Sequence, residues 1–275
     1  MENLELEIKN SKDPHDWIPL TFLNLVLQTA FIPNTKMLSA LLIAPAGGGK
    51  TIKLELLSKF DFVKYTHDIT PKHLMTFLDE VDRERLKYLV IPDYISTLGH
   101  SKRTVELARG IFRSMVEEGI KDIDVFGMDR HFQKKLKAGL VSGITPEYFN
   151  QNSRVWKNDG FLSRFLPFSY SHSPKTVEKI LVNIRDKKDT INTFKITVKK
   201  KAKEPSRKED IDTKIKLISY ELLENKGELP YRRYQQLVAL CNASAVMRDS
   251  TTVENRDVEL VRNLAGYVNR ALIPI

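Results

Sequence analysis

The sequence predicts an α/β fold: a mostly parallel sheet with helices on both faces, followed by a small all-helical domain. Three observations carry this. Apolar runs of strand length alternate with stretches whose apolar residues recur every three to four positions. One such run, residues 37–43, leads through Pro45-Ala46-Gly47-Gly48-Gly49 into Lys50-Thr51 and a helical pattern. Beyond residue 210 the strand signals stop and three helical segments follow.

Taken in order, residues 1–17 form a polar lead-in, and Leu20, Leu23, Leu27 and Phe31 mark a helix over 18–31. The strand at 37–43, the glycine loop and a helix over 49–59 follow. A strand at Phe62–Thr66 precedes Thr70-Pro71, a helix start with proline in the first turn, and that helix is expected to end near Phe77 or Leu78. Leu86 to Asp93 is a buried strand closing on a carboxylate, and an amphipathic helix occupies 102–118 before Gly119. Residues 124–135 read as a short β-hairpin in which Phe126 and Phe132, expected to be packing residues, flank a turn holding Gly127 and Asp129. Gly139–Ile144 is a strand ending at Thr145-Pro146-Glu147, and Asp159 to Arg164 leads into a last strand over Phe165–Tyr170. Residues 174–185 are helical. A connector over 186–210 carries a strand-like patch, Phe194–Val198, and the basic run Lys199–Lys203. Helices are expected at 211–225, 231–247 and 256–272. The division is therefore an α/β domain over 1–185, a basic linker over 186–210 and a helical domain over 211–275.

At 275 residues the chain can bury a full core. Its formal charge of +9 and pI near 9.4 favour a polyanionic partner, nucleic acid first. A single cysteine, Cys241, excludes an internal disulfide and an all-cysteine metal site. The longest apolar run, Ile18 to Ile32, contains Pro19, Asn24 and Gln28 and is too short to span a bilayer. The first residues are acidic where a signal peptide is basic, so a cytoplasmic protein with no membrane partner is expected. The six histidines are scattered without metal-ligand spacing.

The order strand, glycine loop, helix is what phosphate binding requires. Glycines let backbone N–H groups turn inward around an anion, and the helix start adds positive charge. Lys50 reaches the β- and γ-phosphates and the Thr51 hydroxyl ligates Mg²⁺, so Pro45 to Thr51 form the nucleotide-binding segment, with ATP and Mg²⁺ as the expected cofactors. Ala44 stands where the G-x-x-x-x-G-K-[ST] pattern has its first glycine. In such sheets ligands lie at the carboxyl ends of the strands. Asp93 ends the third strand, where it can hold the Mg²⁺ shell. Tyr94 follows where a water-polarising glutamate is usual. Asp93 then serves both purposes, Glu147 approaches from the neighbouring strand end, or hydrolysis is slow. Thr145 either places its hydroxyl for the γ-phosphate or the attacking water or is an ordinary turn hydroxyl before Pro146.

Phe161-Leu162-Ser163-Arg164-Phe165 closely resembles the Leu-Ser-Arg-Phe element of the minichromosome-maintenance (MCM) branch of the AAA+ ATPases. Arg232-Arg233-Tyr234 through Ala245 looks like that branch's lid helix, and Val253 to Val258 is similar to the start of its next lid helix. The resemblance covers residues 36–272. It implies a P-loop NTPase of the AAA+/ASCE type with a helical lid. Arg164 then reaches the neighbouring subunit's nucleotide in a homo-oligomeric ring such as a hexamer. Arg232, or alternatively Arg233, acts as a second sensor. The hairpin falls where the branch places a DNA-tracking loop, so Arg130, His131, Lys134 and Lys135 either meet DNA phosphates or form a solvated tip. This chain departs from the pattern at Pro92-Asp93-Tyr94, at Thr145 in place of the sensor asparagine, and at Leu166 in place of aspartate. The expected function is a helicase-like, DNA-dependent ATPase of a replicating virus or mobile element. The alternatives are an ATP-controlled DNA-binding switch and a DNA-packaging ATPase.

Overall fold

The computed structural model describes residues 14–99, 101–125, 128–186, 196–223 and 229–269. The N-terminal lead-in up to residue 13, Phe126 and Gly127 of the hairpin turn, and Phe194 lie outside them. The chain packs as two compact units, one drawn from residues 1–36, 44–49 and 168–275, the other from residues 37–43 and 50–167.

The second unit holds most of the sheet. Its strands are β1 (Ser39–Ile43), β2 (Val63–Tyr65), β3 (Tyr88–Ile91) and β6 (Gly139–Ile144), with β7 (Phe165–Ser169) at one edge, in the order β2-β3-β6-β1-β7. β1 with β6, β6 with β3 and β3 with β2 pair in parallel. Every residue of β1, β3 and β6 is buried, as expected for strands covered on both faces. Tyr88 donates its hydroxyl to the Leu38 carbonyl 3.1 Å away. Its ring occupies the space a side chain at Gly139 would need.

Helices α2 (Lys50–Glu55, continued by a 3-10 turn to Lys59), α4 (Tyr94–Leu98) and α5 (Lys102–Val116) pack on β6. Ser101 caps α5 by accepting from the Thr104 N–H. Its buried residues Ala108, Ile111, Phe112 and Met115 recur at three to four positions, and each large one contributes about 2 kcal/mol by leaving water. Helix α3 (Pro71–Asp82) starts at the expected Thr70 cap but runs past Leu78, because Val81 continues its buried face.

Two helices, α4 and α6 (Pro146–Asn158), occupy segments to which the sequence assigned no element. In α6 the buried residues are Phe149 and Trp156, two turns apart on one face, with polar Asn152 and Ser153 between them. The hairpin is longer than 124–135: β4 (Ile120–Val125) and β5 (Met128–Leu136) are antiparallel. Asp129 lies in the ladder opposite Asp124, not in the turn. Phe132 is buried, as its packing role requires.

The first unit contains α1 (Pro14–Gln28), α7 (Pro174–Arg185), α8 (Glu209–Glu221), α9 (Tyr231–Met247) and α10 (Asn255–Asn269). Asp257 fastens α9 to α10: its buried carboxylate accepts from the Ser244 hydroxyl, the Arg248 guanidinium and the Glu254 N–H. That hydrogen bond raises the Arg248 pKa further, against the effect of burial. Within the connector, Ile196 to Val198 is not a strand. Lys199, the first residue of the basic run, exchanges two backbone hydrogen bonds with the Gln28 amide and pairs with Asp249. Among the described residues no helix is long and apolar enough to cross a membrane.

Candidate functional site

The glycine loop follows directly from β1. The Gly48 N–H donates to the Pro45 carbonyl at 3.0 Å, closing a four-residue turn whose third residue, Gly47, has φ +77°. That sign suits a type II turn and glycine. Gly49 is also left-handed, at +74°. Gly48 is constrained by space instead, since a Cβ there would stand 3.0 Å from the Pro45 oxygen and 3.1 Å from the Ala44 Cβ. Pro45, Ala46 and Gly47 are exposed. Tyr170, just beyond β7 in the same unit, donates its hydroxyl to the Gly48 carbonyl at 2.8 Å and braces the turn from below.

The chain continues from Gly49 into Lys50 and Thr51, the first residues of α2. In the second unit Lys50 lies close to the ends of two other strands. Burial pushes its ammonium below the ordinary lysine value, while the carboxylates of Asp93 and Glu147 pull it back up. Strand β6 stands between β1 and β3, and Gly143 makes the approach possible. A Cβ at Gly143 would collide with the Pro92 carbonyl and lie 3.5 Å from the Lys50 Cβ.

β3 and β6 end alike, each passing through a capping position into a helix. Asp93 caps α4, its Oδ1 accepting from the Ile95 N–H at 3.0 Å. Thr145 occupies the corresponding position before α6, but its hydroxyl does not cap that helix. Glu147 sits in the first turn of α6 and, like Asp93, is exposed. The structure thus gathers Lys50, Asp93 and Glu147, with Thr145 two residues from Glu147.

Tyr94 is turned away from this group. It is 1 % exposed and packs edge-on against Trp156, ring centres 5.6 Å apart, and beside Phe161. Burial drives its hydroxyl pKa far above the ordinary phenol value. The position after Asp93 therefore belongs to the aromatic core, and Glu147 is the second carboxylate near Lys50.

Arg164 is held within its own chain. Its Nε lies 2.9 Å from Glu117, Nη2 donates to Glu118 at 2.6 Å and Nη1 to the Gly160 carbonyl at 2.6 Å. Burial pushes the Glu118 carboxyl up, but the hydrogen bond from Arg164 holds it below its ordinary value. Arg109 pairs nearby with Asp159 at 3.0 Å. Arg232 and Arg233 lie half-exposed in the first turn of α9, where Arg233 donates to Gln236.

Of the hairpin cations, Arg130 stands 3.9 Å from Asp79, His131 pairs with Asp122 and Lys134 with Glu84. Lys135 is exposed beside them. Three of these four side chains face carboxylates of their own chain.

Two residues of the site were not singled out from sequence, Gly143 and Tyr170. A glycine inside a strand is a sign of close backbone approach. Tyr170 gives no such sign, because its contact spans 122 residues. Among the described residues no group of three His, Cys, Asp or Glu side chains is placed to hold a metal. In comparisons with known proteins, no family model and no curated sequence matches this chain.

Proposed function

We propose that this chain is a P-loop nucleoside triphosphatase of the AAA+ type, using ATP with Mg²⁺. The observation that carries the reading is Lys50: it follows a glycine loop turned at Gly47 and Gly49, and it faces Asp93 and Glu147 from two other strand ends. Strand β6, between β1 and β3, supports it by leading through Thr145 to Glu147 beside Lys50. The donor set suits Mg²⁺, which takes one or two carboxylates together with substrate phosphates rather than an all-protein cage. Thr51 and Asp93 would hold the ion, which neutralises charge on the phosphates when bound. The loop N–H groups and Lys50 orient the triphosphate, Glu147 accepts a proton from the attacking water, and the Thr145 hydroxyl positions that water.

The chain acts in this reading as a ring-forming, DNA-dependent motor. The charge of +9 supports a polyanionic partner such as DNA. A second reading, an ATP-controlled switch with little hydrolysis, is favoured by the burial of Tyr94 where a catalytic glutamate is usual. ATP hydrolysis with and without single- and double-stranded DNA tests both. DNA-stimulated turnover lost in Lys50→Ala is expected. Binding without turnover selects the switch, and absence of Mg²⁺-dependent nucleotide binding refutes both.

A further inference from the structure

The peptide between Gly48 and Gly49 has no side chain at either end, so nothing local fixes which way its plane faces. In a trans peptide the oxygen and the N–H lie on opposite sides. Turning the plane over exchanges them, and glycine accepts both signs of φ, so the exchange costs little. Toward an anion, one orientation presents the Gly49 N–H as a donor, and the other presents the Gly48 oxygen, which repels it. A loop of three successive glycines therefore needs this peptide held from outside.

Tyr170 supplies the hold. Its hydroxyl donates to the Gly48 carbonyl at 2.8 Å, a buried contact. The peptide is trans, and Gly49 stands at φ +74°, so its N–H is directed away from Tyr170. The tyrosine is itself fixed. It is 6 % exposed, and its ring meets the His172 ring edge-on with centres 5.8 Å apart. Two residues earlier, Phe168 stacks on Phe22 of α1 at 4.2 Å and on Tyr267 of α10 at 5.3 Å. The glycines, Tyr170 and these rings belong to one compact unit. The other unit has a bond of the same kind with no ligand role: Tyr88 donates to the Leu38 carbonyl at 3.1 Å, just before β1 and at the far end of that strand from the loop.

Resting on the phosphate-loop reading above, we infer that Tyr170 is a positioning residue for the triphosphate, its hydroxyl holding the Gly48 carbonyl so that the Gly49 N–H faces the phosphate chain before a ligand arrives. Tyr170 touches no ligand atom in this arrangement. What it adds is preorganisation, felt as affinity for the phosphates whatever base they carry.

Binding of ATP and of inorganic tripolyphosphate, each with Mg²⁺, is measured by calorimetry on the full chain for the parent, Tyr170→Phe and Tyr88→Phe. Each variant keeps its ring and leaves one buried carbonyl without its donor, so both are expected to lower the urea midpoint. Only Tyr170→Phe should weaken binding, about tenfold for both ligands, roughly the worth of one hydrogen bond. Parent-like binding in Tyr170→Phe overturns the role. So does equal weakening in Tyr88→Phe, which would make the loss a general effect of stability. A measurement on the parent stands even if a variant fails to fold: in protein labelled with ¹⁵N-glycine, the Gly49 amide signal should shift on adding tripolyphosphate with Mg²⁺. An unmoved Gly49 signal alongside calorimetric binding also overturns the role. If the parent binds neither ligand, the phosphate-loop reading fails and the positioning role with it.

Discussion

Lys50 and Arg164 are both cations facing two carboxylates within one unit, and they are built differently. The partners of Lys50 come from the ends of two strands, Asp93 after β3 and Glu147 after β6, and both stay exposed where a ligand can reach them. The partners of Arg164 are adjacent residues, Glu117 and Glu118, at ion-pair distances of 2.9 and 2.6 Å, and the Arg164 side chain is 13 % exposed. Its Nη1 also donates to the Gly160 carbonyl. Charges converging from separate strand ends suit chemistry; a guanidinium closed on two adjacent carboxylates holds structure.

The comparison can be broken most sharply at Lys50. Lys50→Ala should lower ATP turnover by more than about a hundredfold, read by phosphate release, while the urea midpoint moves little. Glu147→Gln comes next. If it is the general base, turnover falls about 10²- to 10³-fold with nucleotide binding kept; equal turnover would return the role to Asp93 alone.

Arg164→Ala tests the other side. Leaving Glu117 without its cation should cost on the order of 3 kcal/mol, measured by urea unfolding. A variant of unchanged stability that lost activity only in mixed oligomers would instead make Arg164 a residue acting on a neighbour. Gly143→Ala should cost about 1–3 kcal/mol and weaken nucleotide binding, because its methyl group forces Pro92 from Lys50.

The smallest effect is one of pH. Burial lowers the Lys50 pKa in the folded chain, so between that value and the ordinary 10.5 the unfolded chain holds more protons and stability rises with pH. Lys50→Met should flatten that rise, seen in urea midpoints at neutral pH and at about pH 10.

Much of this was legible beforehand. β6 and helices α7 and α9 fall where periodicity placed them, because each has a continuous apolar face or a clear proline start. Helix α6 was not legible, since polar Asn152 and Ser153 interrupt the apolar face between Phe149 and Trp156. The hairpin's existence was legible, its register not. Asp124 and Asp129 face each other through a ladder set by Ile123 and Phe132 packing inward, which no turn residue announces.

The sequence by itself determined the glycine loop, because φ above zero at Gly47 and Gly49 and the helix starting at Lys50 are properties of neighbouring residues. Only the tertiary structure decided what faces that lysine. Glu147 rather than residue 94 stands beside Asp93, because Tyr94 is worth more buried against Trp156 and Phe161 than exposed at a strand end. It likewise closed Arg164 on Glu117 and Glu118, and brought Tyr170 to the Gly48 carbonyl. Burial and long-range pairing are sums over the whole chain, and no local window contains them.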